Sequence, residues 1–332
     1  DHPMDVVHVS EWRGSSYLCL LAKRQGLAFA DTLFAVKTSS PWVWNRLYGA
    51  HVIEKAEDLA KVVAERQSVE LADVVIGGSL HLLRWMASQG YAIPRDRAFV
   101  QPNVAKFTAI APFLQTRDRP AGTRIPIDEL VFFGRLEPRK GLFIFCQAVR
   151  RVIRSGVSLP PKITFMGKVG GRMPSHPDMD VSDYIRMMTE GWPTEVHIQT
   201  GYQQFDAVKY LLSGARLAVM PSIIENSSMA VYEAAICGIP CVASDVGGNS
   251  ELILAEDHAH VLCQPHPASL GDKLEEALRR GGFIPRPSFD NDANLETWME
   301  FHRQLGGDLR HHLLRQSRLA SAAMSLDRPS TS

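Results

Sequence analysis

The sequence has no excess of charge of either sign. Its 332 residues include 36 Lys and Arg against 36 Asp and Glu, so the formal net charge at neutral pH is zero. Proteins that bind duplex nucleic acid usually carry a basic excess, because neutralising phosphates supplies most of their affinity. We therefore expect no nucleic-acid partner.

Cysteine is scarce, with five residues and no CxxC pair. Cysteines scattered in this way are typical of a reducing compartment, where they serve as small buried apolar side chains. Cys237 and Cys241 are close in sequence, but no second Cys or His pair lies nearby at zinc-site spacing. The pattern favours structural packing over a metal site.

Long apolar runs are missing as well. No stretch approaches the roughly 20 apolar residues of a membrane-spanning helix, and the N-terminus lacks the charged and apolar regions of a signal peptide. The sequence thus predicts a cytoplasmic protein. The basic stretch Arg310–Arg318 predicts a solvated helix face, the alternative being peripheral contact with an anionic membrane surface.

The length suits two domains, and the 45% hydrophobic content is ordinary for globular proteins. Short apolar runs alternate with helical patterns, which is typical of βαβ units and parallel sheets. We predict an α/β fold with a first domain, a charged linker, a second domain, C-terminal helices that pack back on the first domain, and a flexible tail. Their predicted ranges are 1–115, 116–126, 127–290, 291–318 and 319–332. In the second domain, strands are predicted at Leu130–Phe133, Lys162–Met166, Val196–Thr200, Leu217–Met220, Cys241–Ala243 and His260–Leu262, and Gly281–Pro287 is predicted as a loop.

The first strand of the second domain ends in a cationic turn. Gly134 follows that strand, and Arg135 and Lys140 lie before the next helix. Ligands of open α/β sheets bind outside the carboxyl ends of the strands. Arg can bond two phosphate oxygens at once, and Lys supplies a compact charge. A phosphate site is the functional interpretation, and a solvated basic turn is the structural one.

A second strand-end loop, Pro221–Ser228, leads into an apolar helix. Asn226, Ser227 and Ser228 are good N-cap residues, and the free N–H groups of a helix start favour an anion. Glu225 and Glu233 lie two helical turns apart, so they can reach different parts of one elongated ligand. By themselves, two Glu at this spacing are equally compatible with solvated acids.

A third strand-end loop contains the pair Gly247–Gly248. Paired glycines let the backbone approach a ligand closely, although such a pair more often forms only a turn. The order of all three loops in one βα series favours a single site.

These three loops resemble the retaining glycosyltransferases of family 4, which have the GT-B architecture. The resemblance covers most of residues 128–265. Its pieces are GR-x4-KG at Gly134–Gly141, PS at Pro221-Ser222, E-x7-E from Glu225 to Glu233, EAA-x2-G-x-P from Glu233 to Pro240, and GG-x2-E at Gly247–Glu251. The first half agrees more weakly, at DVVH (Asp5–His8) and VQPN (Val100–Asn103).

The resemblance implies two Rossmann-like domains facing across a cleft, with an incomplete N-terminal one. It implies that Arg135 and Lys140 hold the donor diphosphate, that Glu225 bonds sugar hydroxyls, and that Glu233 bonds the ribose. Arg135, Lys140 and Glu225 are the expected catalytic residues. The remaining donor-binding residues are Gly134, Asn226, Ser227, Ser228, Met229, Ala230, Gly247 and Gly248. No metal or other cofactor is expected.

Two departures from the family pattern stand out. Members commonly have Gly and Phe after the first Glu of E-x7-E, where this chain has Asn226–Ser228, so altered sugar contacts are expected. The usual Gly-rich opening loop and first βα units are absent, and Thr38–Ser40 stand where an acceptor-side His often lies. His8 and His81 are weak alternatives for that His. Trp12, Trp42 and Trp44 suit core packing better than a stacking platform for an acceptor.

The function implied by the resemblance is sugar transfer from a nucleoside-diphosphate sugar, by default a UDP-sugar, to an acceptor hydroxyl with retention of configuration. The acceptor is a saccharide, a lipid-linked molecule or a small molecule, and polysaccharide biosynthesis is the setting suggested by analogy. Two alternatives stay open. One is another GT-B enzyme, such as a sugar-nucleotide epimerase or a glycogen-type phosphorylase. The other is a non-catalytic nucleotide-sugar-binding protein.

Overall fold

The computed structural model describes residues 4–49, 52–105 and 119–326, and it divides the chain into two compact units. Unit 1 comprises the residues up to 103 together with those from 292 onward, and unit 2 comprises residues 104–291. The boundary predicted at residue 115 lies outside the described residues. The helices that follow residue 291 are grouped with the N-terminal part of the chain.

Unit 1 contains one parallel sheet whose strand order, β1-β2-β3-β4, follows the chain. Both central strands are buried along nearly their whole length, as expected for parallel strands covered on both faces. On one face, Leu33 and Ile76 pack against Leu305 and Leu313 of the two last helices. The elements are β1 Val6–Ser10, α1 Tyr17–Arg24, β2 Leu33–Thr38, α2 Trp42–Tyr48, α3 Ala56–Leu71, β3 Val74–Gly77, α4 Leu80–Ser88 and β4 Ala98–Val100, followed after unit 2 by α11 Asn291–Gly306 and α12 Asp308–Leu326.

Unit 2 contains a six-stranded parallel sheet of order β8-β7-β6-β9-β10-β11. Counted from its own first strand, this is the order 3-2-1-4-5-6 of doubly wound nucleotide-binding folds, which reverses direction between β6 and β9. The elements are β5 Arg124–Ile125, β6 Glu129–Phe133, α5 Leu142–Arg154, β7 Lys162–Met166, α6 Val181–Thr189, β8 Glu195–Gln199, α7 Gln204–Leu212, β9 Arg216–Met220, α8 Met229–Ile236, β10 Cys241–Ser244, α9 His258–Val261, β11 Leu262–Cys263, α10 Pro267–Arg280 and β12 Gly282–Phe283.

The sheet of unit 2 has an apolar core on each face. Phe132 packs with Phe145 of α5 on one face, whereas its neighbour Val131 packs with Val208 of α7 and Tyr232 of α8 on the other. Successive residues of a strand point to opposite faces, so one short apolar strand serves both cores. The central strands are therefore held rigidly, and the loops at their ends start from fixed points.

Four predictions differ from the structure. The predicted strand His260–Leu262 is mostly the short helix α9, with β11 beginning only at Leu262. Within the predicted linker 116–126, of which 116–118 lie outside the described residues, Arg124–Ile125 form β5. This strand pairs antiparallel with β12, which lies inside the predicted loop 281–287. The predicted tail 319–332 continues as helix α12 to Leu326, and its last six residues lie outside the described residues.

The cysteines also separate into two groups. Cys146, Cys237, Cys241 and Cys263 are buried, and burial raises the pKa of each thiol to about 12. They act as small apolar side chains, as predicted. Cys19 is exposed, and the prediction was wrong there because its position on α1 faces away from the core. Among the described helices, none combines the length and apolar character that crossing a membrane requires.

Candidate donor site

The three loops singled out in the sequence leave three adjacent strands of the unit 2 sheet. The loop at Gly134 follows β6, the loop at Pro221 follows β9, and the loop at Asp245 follows β10, and these strands lie side by side in the order β6-β9-β10. Because the strands are parallel, all three loops emerge at one edge of the sheet. They surround the point where the strand order reverses, which is where such folds bind ligands.

Two glycines set how closely the loops approach one another. Gly141 ends the first loop with φ +78°, and a Cβ added there would lie 1.8 Å from the carbonyl oxygen of Pro221. Gly247 in the third loop has φ +62°, and its Cβ would lie 1.6 Å from the carbonyl oxygen of Glu225. Each contact leaves no room for a side chain, and both positions have the left-handed conformation that favours glycine. The second loop is thus in close backbone contact with the first loop on one side and with the third loop on the other.

Backbone hydrogen bonds continue this contact. The N–H of Ile223 donates to the carbonyl of Arg139 at 2.8 Å, and the N–H of Gly248 donates to the carbonyl of Asn226 at 2.9 Å. The hydroxyl of Ser244 at the end of β10 donates to the carbonyl of Ser222 at 2.5 Å. The three loops therefore form one hydrogen-bonded structure.

The predicted cation Lys140 and the predicted acid Glu225 meet directly. The Lys140 Nζ donates to Oε1 of Glu225, and the hydroxyl of Ser222 donates to the same oxygen at 2.7 Å. Only 19% of the Lys140 side chain and 8% of the Glu225 side chain are exposed. By contrast, the Arg135 side chain is 65% exposed, and its Nη1 lies 3.8 Å from Glu137 Oε2. Arg135 therefore extends toward solvent from the same turn.

Two residues of the first loop were missed by the sequence analysis. Arg139 donates from Nη2 to Glu137 Oε1 at 2.9 Å, and its Nη1 lies 3.9 Å from Glu225 Oε2. Glu225 is thus approached by two cations, and Glu137 lies between Arg139 and Arg135. Nothing in the spacing distinguishes Arg139 from a solvated arginine, because its partner is 86 positions away along the chain.

The helix α8 begins at Met229 with Ser228 as its N-cap. Ser228 has an extended backbone (φ −76°, ψ 114°) and is buried, but its hydroxyl makes no capping bond to the helix. The predicted capping position is therefore right, while the predicted side-chain cap is absent at Ser228. The first-turn N–H groups around Met229 and Ala230, which Ser228 does not cap, are the kind of donor that binds anionic groups.

Glu233 lies in the second turn of α8 and is 3% exposed. Burial raises the pKa of its carboxyl, and a hydrogen bond from the Gln204 side chain opposes this rise. The Gln204 Nε2 donates to Oε1 of Glu233. Glu225 therefore lies in the loop that leads into α8 and Glu233 in the second turn of that helix, and the two carboxyls have different surroundings.

The Gly247–Gly248 loop is completed by Asn249, which the sequence analysis did not single out. Asn249 is fully buried, and its Nδ2 donates to the carbonyl of Ser244 at 3.0 Å. This bond ties the start of the loop to its end. A polar residue directly after paired glycines is the one signal that could have identified it.

The alternative residues of unit 1 have structural surroundings. Trp42 and Trp44 are buried in the core, as predicted, whereas Trp12 is 36% exposed, so the prediction of core packing was wrong there. His8 stacks on His302 with ring centroids 4.8 Å apart and touches Trp298 edge-on. Across residues 4–49, 52–105 and 119–326, no three His, Cys, Asp or Glu side chains are grouped so as to hold a metal ion.

The chain also matches a known protein family. Residues 128–280 match the family described as Glycosyl transferases group 1. That range contains all three loops and the strands that carry them.

Comparison with individual proteins agrees with the family match. The chain is 25% identical over 290 residues to the D-inositol 3-phosphate glycosyltransferase of Frankia alni, which covers 83% of this chain and 66% of that protein. The first three relatives of this name are matched over 52% to 66% of their own length, so the chain spans less than two thirds of them.

Solved structures share the fold. The HepE protein of Anabaena, in a crystal structure with UDP and glucose, has a TM-score of 0.60 and 16% identity over 90% of this chain and 78% of that one. The sucrose-phosphate synthase of Thermosynechococcus elongatus has a TM-score of 0.57 and 16% identity over 97% of this chain and 72% of that one. At such identities the likeness concerns the fold, which is GT-B.

Proposed function

We propose that this chain transfers a sugar from a nucleoside-diphosphate sugar to an acceptor hydroxyl, with retention of anomeric configuration. Residues 128–280 make it a member of the group 1 glycosyltransferases. The observation that supports this most directly is the contact of the three loops at the reversal of strand order. There Lys140, Glu225 and the start of α8 lie within one hydrogen-bonded structure. Positive charge, a carboxylate and free N–H groups are the chemistry that a sugar diphosphate needs.

The bond that breaks joins the anomeric carbon to the donor diphosphate, and its electron pair stays on the departing phosphate oxygen. In our proposal the charge that develops there is stabilised by Arg135, Lys140 and the first-turn N–H groups of α8. Fixed charges of this kind act mainly in the transition state, where negative charge is greatest. The acceptor oxygen bonds to the same carbon, and its proton passes to a phosphate oxygen of the leaving group. Glu225 would bond sugar hydroxyls after exchanging its contact with Lys140.

In this proposal the reaction uses no metal ion, because the cations and the helix start supply the positive charge. We further propose UDP as the nucleotide, since the Anabaena structure contains UDP and glucose. An inositol phosphate is the first acceptor to test, because of the name of the relatives. Saccharide and lipid-linked acceptors are the next to test. The proposed location is the cytoplasm, with the basic stretch Arg310–Arg318 as a solvated helix face and peripheral membrane contact as the alternative.

The first experiment is a calorimetric titration of the protein with UDP, GDP and ADP, with and without a chelator. We expect one nucleotide to bind, the chelator to leave the affinity unchanged, and the variants Arg135→Ala and Glu233→Gln to weaken binding about tenfold or more. Arg186→Ala is the matched control for Arg135. Arg186 is also an exposed arginine of unit 2, but it pairs with Asp183 on α6. It should bind like the wild type.

The outcomes separate the candidate functions. Transfer to an acceptor establishes the transferase, whereas turnover of the nucleotide sugar without an acceptor indicates an epimerase, and a requirement for free phosphate indicates a phosphorylase. Tight binding without turnover indicates a binding protein. If the folded wild-type protein binds none of the three nucleotides, the donor site is assigned wrongly.

A further inference from the structure

The carboxylate of Glu233 is held by a residue outside the motif that contains it. Gln204 is the first residue of α7, which follows the edge strand β8, and its Nε2 donates to Oε1 of Glu233. Gln204 lies outside the E-x7-E motif, which runs from Glu225 to Glu233. The contact therefore joins the donor loops to a fourth segment of the unit 2 sheet edge.

Both ends of this contact are rigidly supported. Val208 and Leu211 of α7 pack in the same apolar core as Val231 and Ala234 of α8. Because the two helices share this core, the distance between Gln204 and Glu233 is set by packing rather than by loop position. Gln204 itself is exposed at the surface, while Glu233 lies buried beneath it.

The hydrogen bonds of Glu233 are divided between its two oxygens. Oε1 accepts from Gln204, and within the described part of the chain no donor is bonded to Oε2. Oε2 is not one of the buried side-chain atoms that lack a partner, so it is the oxygen of Glu233 that a ligand can reach. In the proposed function, a ribose hydroxyl would donate to it.

We propose that Gln204 is a positioning residue for nucleotide binding. It fixes the Glu233 carboxylate through Oε1, leaving Oε2 to accept from the ribose of a nucleoside diphosphate. The inference rests on the proposed function, because it requires a nucleotide at α8.

Two variants and a control test it. Gln204→Ala removes the donor to Glu233, and Gln204→Glu replaces it with a second carboxylate. The control is Gln203→Ala, since Gln203 is the exposed neighbouring glutamine and its side chain makes no capping bond. Calorimetry measures the affinity of each protein for the nucleoside diphosphate that the wild type binds and for its 2′,3′-dideoxy form.

We expect Gln204→Ala to weaken binding of the ribonucleotide about tenfold and to leave the affinity for the dideoxy form at the wild-type value. A ligand without ribose hydroxyls cannot donate a hydrogen bond to Glu233, so its affinity does not depend on how that carboxylate is positioned. Gln204→Glu should weaken ribonucleotide binding further at pH 8 and recover part of it at pH 6, because one carboxyl of the facing pair can then hold a proton. Gln203→Ala should behave as the wild type.

An equal loss for both ligands would show that Gln204 only supports the fold, and an unchanged affinity would show that Glu233 does not need it. Either result overturns the positioning role while leaving the nucleotide site standing. Failure of the wild type to bind any nucleotide overturns the nucleotide site together with this role.

Discussion

Lys140 and Glu225 form an ion pair that is mostly shielded from water. Removing one partner of a buried pair leaves the other charge uncompensated, which costs more than the pair contributes. Arg139 and Ser222 also lie against Glu225, so its charge stays partly compensated when Lys140 is lost. The two residues therefore have unequal importance for stability.

We expect Glu225→Gln to lower the free energy of unfolding by about 3 kcal/mol and Lys140→Met by about 2 kcal/mol, since each leaves a desolvated charge. The double variant should lose less than the sum, with a coupling of at least about 1 kcal/mol. Urea unfolding of the four proteins measures this. Strict additivity would mean that the contact contributes nothing in solution.

Sequence patterns identify some of these residues and cannot identify others. Lys140 and Glu225 are recognisable because each belongs to a motif with fixed local spacing. Arg139 and Gln204 are not, because what gives each its role is a partner 86 or 29 positions away. Such roles arise only once strand order brings distant loops together.

At the scale of whole elements, Gly141 and Gly247 decide whether the loops after β6, β9 and β10 can assemble. Both have positive φ, and both lie against a carbonyl oxygen of the second loop. Gly156, at the end of α5, is a matched reference, since its φ is +76° and nothing lies within 4 Å of an added Cβ. It carries the same backbone strain without the clash.

Gly156→Ala should therefore cost about 1 kcal/mol of stability, which is the cost of a left-handed alanine. Gly141→Ala and Gly247→Ala should cost about 3 kcal/mol or more, because loop displacement adds to the strain. Both should also weaken nucleotide binding, which Gly156→Ala should leave unchanged. Chemical unfolding and calorimetry give the two quantities. Equal costs at all three glycines would contradict the close approach of the loops.

The same scale shows how far periodicity predicts elements. Strand β7 has its predicted bounds, because a short apolar run fits it. Strands β5 and β12 could not be predicted, since each has two residues and exists only by pairing with partners 157 and 159 positions away. Helix α9 has only four residues, too few for a period to show.

At the scale of the molecule, one buried glutamate in each unit should make stability depend on pH, and the two act in different pH ranges. In unit 1, Glu65 is fully buried and accepts the backbone N–H groups of Arg13 at 2.8 Å and Trp42 at 2.9 Å. Burial raises its pKa to about 7; the bonds from Arg13 and Trp42 oppose the rise, and the nearby Glu11 adds to it. In unit 2, burial raises the pKa of Glu129, but hydrogen bonds from Thr164, Tyr210 and Arg216 lower it by more. The net effect is a lowered pKa.

The signs of these two effects are opposite. The folded state of unit 1 holds the Glu65 proton more tightly than the unfolded chain does. The stability that Glu65 contributes is therefore fully present below pH 4.5 and is lost as pH rises toward 7. The rise in the pKa of Glu65 from 4.5 to about 7 corresponds to a loss of about 3 kcal/mol in the free energy of unfolding at high pH. Glu129 contributes stability that is present above pH 4.5 and is lost as pH falls below it.

Glu65→Gln should flatten the decline of unit 1 between pH 4.5 and 7, because the neutral amide keeps an acceptor for the Arg13 and Trp42 N–H groups without a titrating proton. Tryptophan fluorescence during urea unfolding suits this measurement, since five of the six tryptophans lie in unit 1 and only Trp192 lies in unit 2.

Glu70→Gln, on the exposed side of the same helix α3, is the control and should keep the wild-type profile. If the stability of Glu65→Gln still declines between pH 4.5 and 7, the decline originates elsewhere in unit 1.

A bound nucleotide stabilises only the unit that binds it. Adding it should therefore raise the stability of β6 and β9, as measured by hydrogen exchange, without changing the pH range in which unit 1 weakens.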